Sequence, residues 1–183
     1  MFTENSYHFS QTLPLSKEQE TLETVILKTD RQLYGLPLKN VVEIIRMVAI
    51  TPIPEAGRGI EGVINLRGEV VPVLDLRKCL GLEVKPYTLN THIIITQTDG
   101  RNLGLVVDGV AKVADIPKHN IRPSQQLSPS SKHILGVAKT GDGLLIILKI
   151  ASILRQILGD LPEKIYPQAG RRKTSIVSEL VTS

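Results

Sequence analysis

Gly59-Ile60-Glu61-Gly62-Val63-Ile64-Asn65-Leu66-Arg67-Gly68-Glu69-Val70-Val71-Pro72-Val73-Leu74-Asp75-Leu76 is the stretch on which the reading of this chain turns. A short apolar run, a break at Arg67-Gly68 and a second apolar run make a hairpin signal. β-Branched residues suit a pleated surface, and an Xaa-Gly pair suits a tight turn. Gly68 takes the positive φ that the turn needs and leaves Arg67 at the exposed tip. Pro72 has no N–H to give to a ladder, so its strand is expected at a sheet edge or with the Pro72 nitrogen turned outward. An arginine held on a rigid tip suggests contact rather than stability.

The rest of the 183-residue chain fits one domain or two small ones. A chain of this size buries roughly 70% of its unfolded surface, so the core needs neither metal nor disulfide. Aromatic residues make up 3% and Trp is absent, which leaves Val, Ile and Leu to fill the core. Cys79 stands alone, which excludes an internal disulfide and suits a reducing compartment. Met1 to Glu23 sets Lys17 against four glutamates and has no apolar run, unlike a secretory signal. No stretch of about 20 apolar residues is present to span a bilayer. A soluble cytoplasmic protein without membrane insertion is expected. Of the net charge of +4, residues 1–24 carry −3 and residues 160–183 carry +1, so the body is mildly basic. Its charges are scattered singly (Lys28, Arg31, Lys39, Arg46, Arg58, Arg67), as on a solvated surface. A nucleic-acid binder would gather them on one face.

Outward from the hairpin, the chain repeats itself. Val25 to Val41 matches Ile94 to Val110 at a shift of 69 residues without a gap. Thr29-Asp30 meets Thr98-Asp99, and Gly35-Leu36 meets Gly104-Leu105. Farther on, Gly62-Val63-Ile64 matches Gly136-Val137-Ala138, and Val70 through Leu74 matches Leu144 through Leu148, at a shift of 74. The second copy therefore carries five extra residues, expected as a loop near Asn120 to Lys132. Each copy offers about five short strands, and a sheet that small buries its apolar side by curling into a barrel or packing on a partner. The expected fold is all-β: two small five-stranded barrels packed around a common core, the first about 22–82 and the second about 90–158. A short helix follows each copy, at Arg77-Lys78-Cys79-Leu80 before Gly81 and at Ile150 to Leu158 before Gly159. Residues 1–21 are polar without period and are expected to be disordered. The tail from 159 to 183 is compatible with a further turn or two of helix over Ser175 to Val181.

Catalytic signals are missing. His8, His92, His119 and His133 show no ligand spacing, so no metal is expected. The chain has no phosphate loop, no Rossmann fingerprint and no Gly-x-Ser-x-Gly elbow. Asp75 and Asp108 each close a strand, where a polar residue is ordinary, and Cys79 reads as a small buried hydrophobe. Neither an enzyme nor a cofactor is expected. Arg67 differs, because the repeat supplies a control. The matching turn of the second copy is Thr140-Gly141-Asp142-Gly143, with Gly141 in place of the arginine, so the hairpin does not demand it. Glu43 likewise becomes Lys112 in the second copy.

Tyr34-Gly35-Leu36-Pro37-Leu38, Val41-Val42-Glu43-Ile44, Gly62 to Leu76 with Asn65-Leu66-Arg67-Gly68, Gly104 to Val110, and Ile121-Arg122-Pro123 together resemble the CheW-like family of bacterial chemotaxis coupling proteins. The resemblance covers roughly residues 22–158. It implies two five-stranded SH3-like barrels around a shared core. It also implies a scaffold that bridges a methyl-accepting chemoreceptor to a CheA-type histidine kinase without chemistry of its own. Receptor contact is implied for the positions of Val41, Glu43, Arg67, Thr91 and His92, and kinase contact around Gly62. Membrane association would then come only through the receptors. Flagellar and type IV pilus pathways both fit. The rival reading is a nucleic-acid-binding small barrel, suggested by the basic pI of 9.2. It needs a basic stripe interleaved with aromatics, which Phe2, Phe9 and four Tyr do not provide.

Overall fold

The computed structural model describes residues 20–54, 56–57, 59–126 and 132–160. The expectations for the N-terminal segment up to residue 19 and for the tail from 161 fall outside these residues. Thr21 already opens the first strand.

Eleven strands are described: β1 (Thr21–Thr29), β2 (Gln32–Pro37), β3 (Val41–Arg46), β4 (Ile60–Leu66), β5 (Glu69–Asp75), β6 (His92–Thr98), β7 (Arg101–Val107), β8 (Gly109–Pro117), β9 (Ile121–Pro123), β10 (Ile134–Thr140) and β11 (Gly143–Leu148). Two helices, α1 (Leu76–Leu80) and α2 (Ile150–Asp160), follow the two copies. The strands form a six-stranded sheet in the order β8-β1-β2-β11-β10-β9 and a five-stranded sheet in the order β3-β6-β7-β5-β4.

That order corrects the allocation of residues 22–82 to one barrel and 90–158 to the other. The β1–β2 hairpin of the first copy lies in the sheet built by the second copy, against β8 and β11. Reciprocally, the β6–β7 hairpin of the second copy lies against β3 and β5. The two exchanges are equivalent residue by residue. Val25 faces Val113 and Ile26 faces Lys112, while Ile94 faces Ile44 and Ile95 faces Glu43. The register slips at the same place in both, between Ile26 and Leu27 and between Val41 and Glu43. A single 3-10 turn, Leu38–Asn40, carries the chain from β2 into the other sheet. The exchange also explains Pro72. Its strand is not an edge but lies between β4 and β7. Pro72 faces Val63, whose N–H and carbonyl both bond to Thr51 on the far side. It sits one residue before the first β5–β7 pair, Val73 with Gly104, so its missing donor interrupts no pair of that ladder.

Three apolar clusters follow from this arrangement. Ile64, Val71, Val73, Ile93, Ile95 and Val106 fill the five-stranded sheet. Ile26, Ile116, Ala138, Leu145 and Ile147 fill the six-stranded one. The largest cluster joins both sheets and both halves of the sequence, with Val25, Leu27, Leu36, Leu74, Ile94, Leu105 and Leu148 covered by Ile150, Ile153 and Leu154 of α2. This is the common core, and the 3.6-residue apolar spacing of α2 serves to close it. Asp75 caps α1 by accepting the Arg77 N–H at 2.8 Å, and Gly81 ends it in the left-handed conformation at φ 70°. Helix α2 runs through Gly159 to Asp160 rather than stopping at the glycine. Glycine in a helix costs about 1 kcal/mol but does not forbid it. The extra residues of the second copy are only partly a loop, since Ile121–Pro123 pairs with β10; residues 127–131 lie outside the described residues.

Candidate functional site

The tip of the β4–β5 hairpin is a two-residue turn between the paired Leu66 and Glu69. Arg67 and Gly68 both have positive φ, 54° and 88°. This is the turn whose twist matches that of the strands. Asn65 Oδ1 accepts the Gly68 N–H at 2.8 Å and locks the tip from below. The Arg67 Nη2 group donates to Glu43 Oε2 at 2.9 Å, with the arginine side chain 80% exposed and the glutamate 23%. β3 and β4 stand at opposite ends of the sheet order. An ion pair between the β4–β5 tip and β3 therefore requires the sheet to curl until its ends meet.

On β3 the burial alternates. Val41 packs on the common core, while Val42 and Ile44 are exposed apolar side chains on the outer face. Val70 is exposed beside the tip on β5. His92 opens β6 directly opposite Arg46 of β3, and its Nδ1 lies 2.6 Å from the Asn90 carbonyl oxygen. Val41, Glu43, Arg67 and His92 are thus on one sheet, with Arg67 and Glu43 in direct contact. Thr91 is not part of that surface. It is buried, its Oγ1 accepts the Thr88 N–H at 2.8 Å, and its own N–H bonds to the Thr88 carbonyl, closing the turn before β6. Gly62 is also buried, at the register slip of β4 with φ 147°. A Cβ there would stand 2.1 Å from the Thr51 carbonyl oxygen. Gly136 holds the equivalent slip in the second copy, where a Cβ would meet the Arg122 carbonyl oxygen at 2.6 Å. Both glycines are demanded by the fold.

The second copy repeats the tip contact with the charges exchanged. Lys112 Nζ on β8 lies 2.6 Å from Asp142 Oδ2 at the β10–β11 turn. The curled sheets share the same closing contact, but the strand carries the anion in one and the cation in the other.

A network of charged side chains around Arg77 escaped the sequence reading. Arg77 is almost fully buried. It donates to the Lys85 carbonyl at 2.6 Å and pairs with Asp108, whose other oxygen accepts the Asp30 N–H at 2.7 Å. Lys85 in turn pairs with Asp30. This hydrogen bond holds the Asp30 carboxyl below its ordinary range and raises the Lys85 ammonium above its own. Burial pushes the Asp75 carboxyl up, against the opposing pull of the Arg77 N–H. It also pushes the Cys79 thiol up to about 11, so Cys79 is a protonated, packed side chain rather than a nucleophile. No cluster of three metal-ligating side chains occurs among the described residues. None of their helices is long and apolar enough to cross a membrane.

Comparison with known proteins agrees with this architecture. The family model of the CheW-like domain matches residues 23–158. Chemotaxis protein CheW of Thermotoga maritima is 30% identical over 143 residues, covering 78% of this chain and 94% of the relative. Chemotaxis protein CheW of Klebsiella aerogenes is 31% identical over 142 residues, covering 76% and 86%. Protein FrzA of Myxococcus xanthus is 34% identical over 106 residues, covering 57% and 66%. The crystal structure of the scaffolding protein TtCheW from Thermoanaerobacter tengcongensis superposes with a TM-score of 0.67 at 32% identity, covering 84% of this chain and 98% of that one. The chain is a member of the CheW-like domain family.

Proposed function

We propose that this protein is a non-catalytic adaptor of a chemosensory pathway, which couples a methyl-accepting chemoreceptor to a CheA-type histidine kinase in the cytoplasm. The observation that carries the reading is the Arg67–Glu43 tip. A cation 80% exposed is held over a curled sheet by a half-buried glutamate, next to the exposed apolar side chains Val42 and Ile44. An oriented charge beside exposed apolar area suits a protein partner. In this reading Val41, Glu43, Arg67 and His92 form the receptor side, and Thr91 sets the strand that presents His92. The kinase side lies around Gly62, where the close approach of β4 to Thr51 shapes the backbone. The similarity to relatives named chemotaxis protein CheW and to a scaffolding protein supports the adaptor role. Coupling is then the free energy by which receptor state biases kinase arrangement, and it acts equally in both directions.

Arg67→Ala tests it. A partner pair that is desolvated on docking makes this truncation cost about 2–5 kcal/mol of binding. Receptor fragment should be lost from a pull-down while circular dichroism and melting stay those of the wild type. Retention of the fragment at full strength by a folded Arg67→Ala protein would remove Arg67 from the receptor surface.

A further inference from the structure

In the second half of the chain, an open cleft of about 460 Å³ is lined by Lys132, His133, Lys149, Ser152, Arg155 and Gln156. Four of the six are basic and none is acidic. Lys132, Lys149 and Arg155 make no ion pair with any described residue, and the Nδ1 of His133 is buried without a hydrogen-bond partner. The two walls are held together by the backbone, since the Lys149 N–H donates to the His133 carbonyl at 2.8 Å.

The repeat again provides the control. At the equivalent place in the first copy, the Asp75 N–H donates to the Gly59 carbonyl at 3.1 Å. Asp75 caps α1 there, and the adjoining Glu61 pairs with Lys78 at 2.5 Å. In the first copy this cap position is held by a side chain that accepts a hydrogen bond. In the second copy Lys149 occupies the cap of α2, its carbonyl accepting the Ser152 and Ile153 N–H groups at 3.0 and 3.3 Å. An ammonium is a poor neighbour for the positive end of a helix, and it cannot accept the bond that Asp75 accepts. Three cations without an ion-pair partner among the described residues, one of them the lysine at the helix cap, gather around one cleft and leave their donors open to an anion.

We propose that this cleft is a binding site for a phosphate-bearing anion. Lysine ammonium, the arginine fork, the Ser152 hydroxyl and the Gln156 amide can all donate, which suits a ligand that only accepts. A volume of this size admits a pyrophosphate-sized group. The phosphoryl chemistry belongs either to a small phosphorylated molecule or to a phosphorylated side chain of a partner protein.

The full chain is titrated, at constant ionic strength, with inorganic pyrophosphate and separately with a phosphoserine peptide of otherwise uncharged sequence, following amide shifts. Saturable shifts confined to residues 132–133 and 149–156 are expected. Preference for pyrophosphate identifies a free ligand, and preference for the peptide identifies a modified partner. Lys149→Asp restores the cap of the first copy, so it should melt no lower than the wild type yet bind at least about ten-fold more weakly; Arg155→Gln should also weaken binding. Absence of saturable shifts with both probes, shifts reproduced by chloride alone, or undiminished binding by Lys149→Asp would each overturn the site.

Discussion

Arg67 holds a φ of 54° in a turn whose first central position favours Asn, Asp or Gly, while its side chain reaches back to Glu43. The exposed pair contributes about 0–1 kcal/mol to stability, and the backbone gains nothing from arginine. Arg67→Asn should therefore leave the unfolding free energy within about 1 kcal/mol of wild type in a guanidinium melt. A collapse of stability would mean that the arginine serves the fold. Gly62 is the opposite case. Its φ of 147° and the Thr51 carbonyl against its missing Cβ leave no room for alanine. Gly62→Ala should lose about 3 kcal/mol or more in the same melt. A Gly62 variant that loses kinase binding therefore speaks about folding before it speaks about contact. Of the residues singled out from sequence, Arg67 was legible because the second copy lacks it, whereas its contact with Glu43 was not. That contact depends on the sheet curling until its ends meet, which local pattern does not encode. Thr91 was placed on the receptor side by resemblance alone, and only the Thr88 turn shows why it is buried.

At the level of elements, the hairpins, the α1 stop at Gly81 and the apolar stripe of α2 could be read directly, because each depends on neighbours within a few residues. Arg77 could not, because its partners Asp108 and Lys85 arrive from other elements. The cap of α1 allows a test against pH. Burial raises the Asp75 carboxyl above the ordinary value of 3.8. Its contribution is then fully present below pH 3.8 and is lost as pH rises through the folded value, so the ionised acid opposes folding near neutrality. Asparagine keeps the cap without the charge. Asp75→Asn should be at least as stable as wild type at pH 7, with the difference closing as the pH falls below 3.8. The Asp30–Lys85 pair runs the other way on the acid side. The lowered Asp30 gives stability above its ordinary 3.8 that is lost on acidification, and the raised Lys85 keeps its part until the pH passes above 10.5. Urea melts across pH 2–7 of wild type and Asp75→Asn separate the two groups. A gap that widens toward acid would contradict the assignment.

For the molecule as a whole, the exchange of hairpins is what sequence could not show. β1 and β6 are equivalent under the repeat, as are β2 and β7, so a pattern of alternation fits pairing within a copy as well as pairing across copies. The long-range parallel contacts of β2 with β11 and of β5 with β7 decide it, and they join residues more than a hundred apart in one case. The consequence is that neither half owns a complete sheet. A fragment covering 20–88 should show no dispersed amide spectrum alone, and the full chain should unfold in one transition. A folded half-fragment would contradict the exchange. The same closure gives the two sheets dissimilar closing contacts, an anion on the strand in one and a cation on the strand in the other. The most direct measurement is co-purification of receptor fragment and histidine kinase from the same cell with the wild type and with the double variant Glu43→Lys, Arg67→Asp. That variant copies the charge order of Lys112 and Asp142 and so preserves the closing contact. The wild type should hold both partners in one complex, and the folded variant should keep the kinase and lose the receptor. A variant that holds the receptor as well as the wild type does, or a wild type that holds neither, would contradict the adaptor reading.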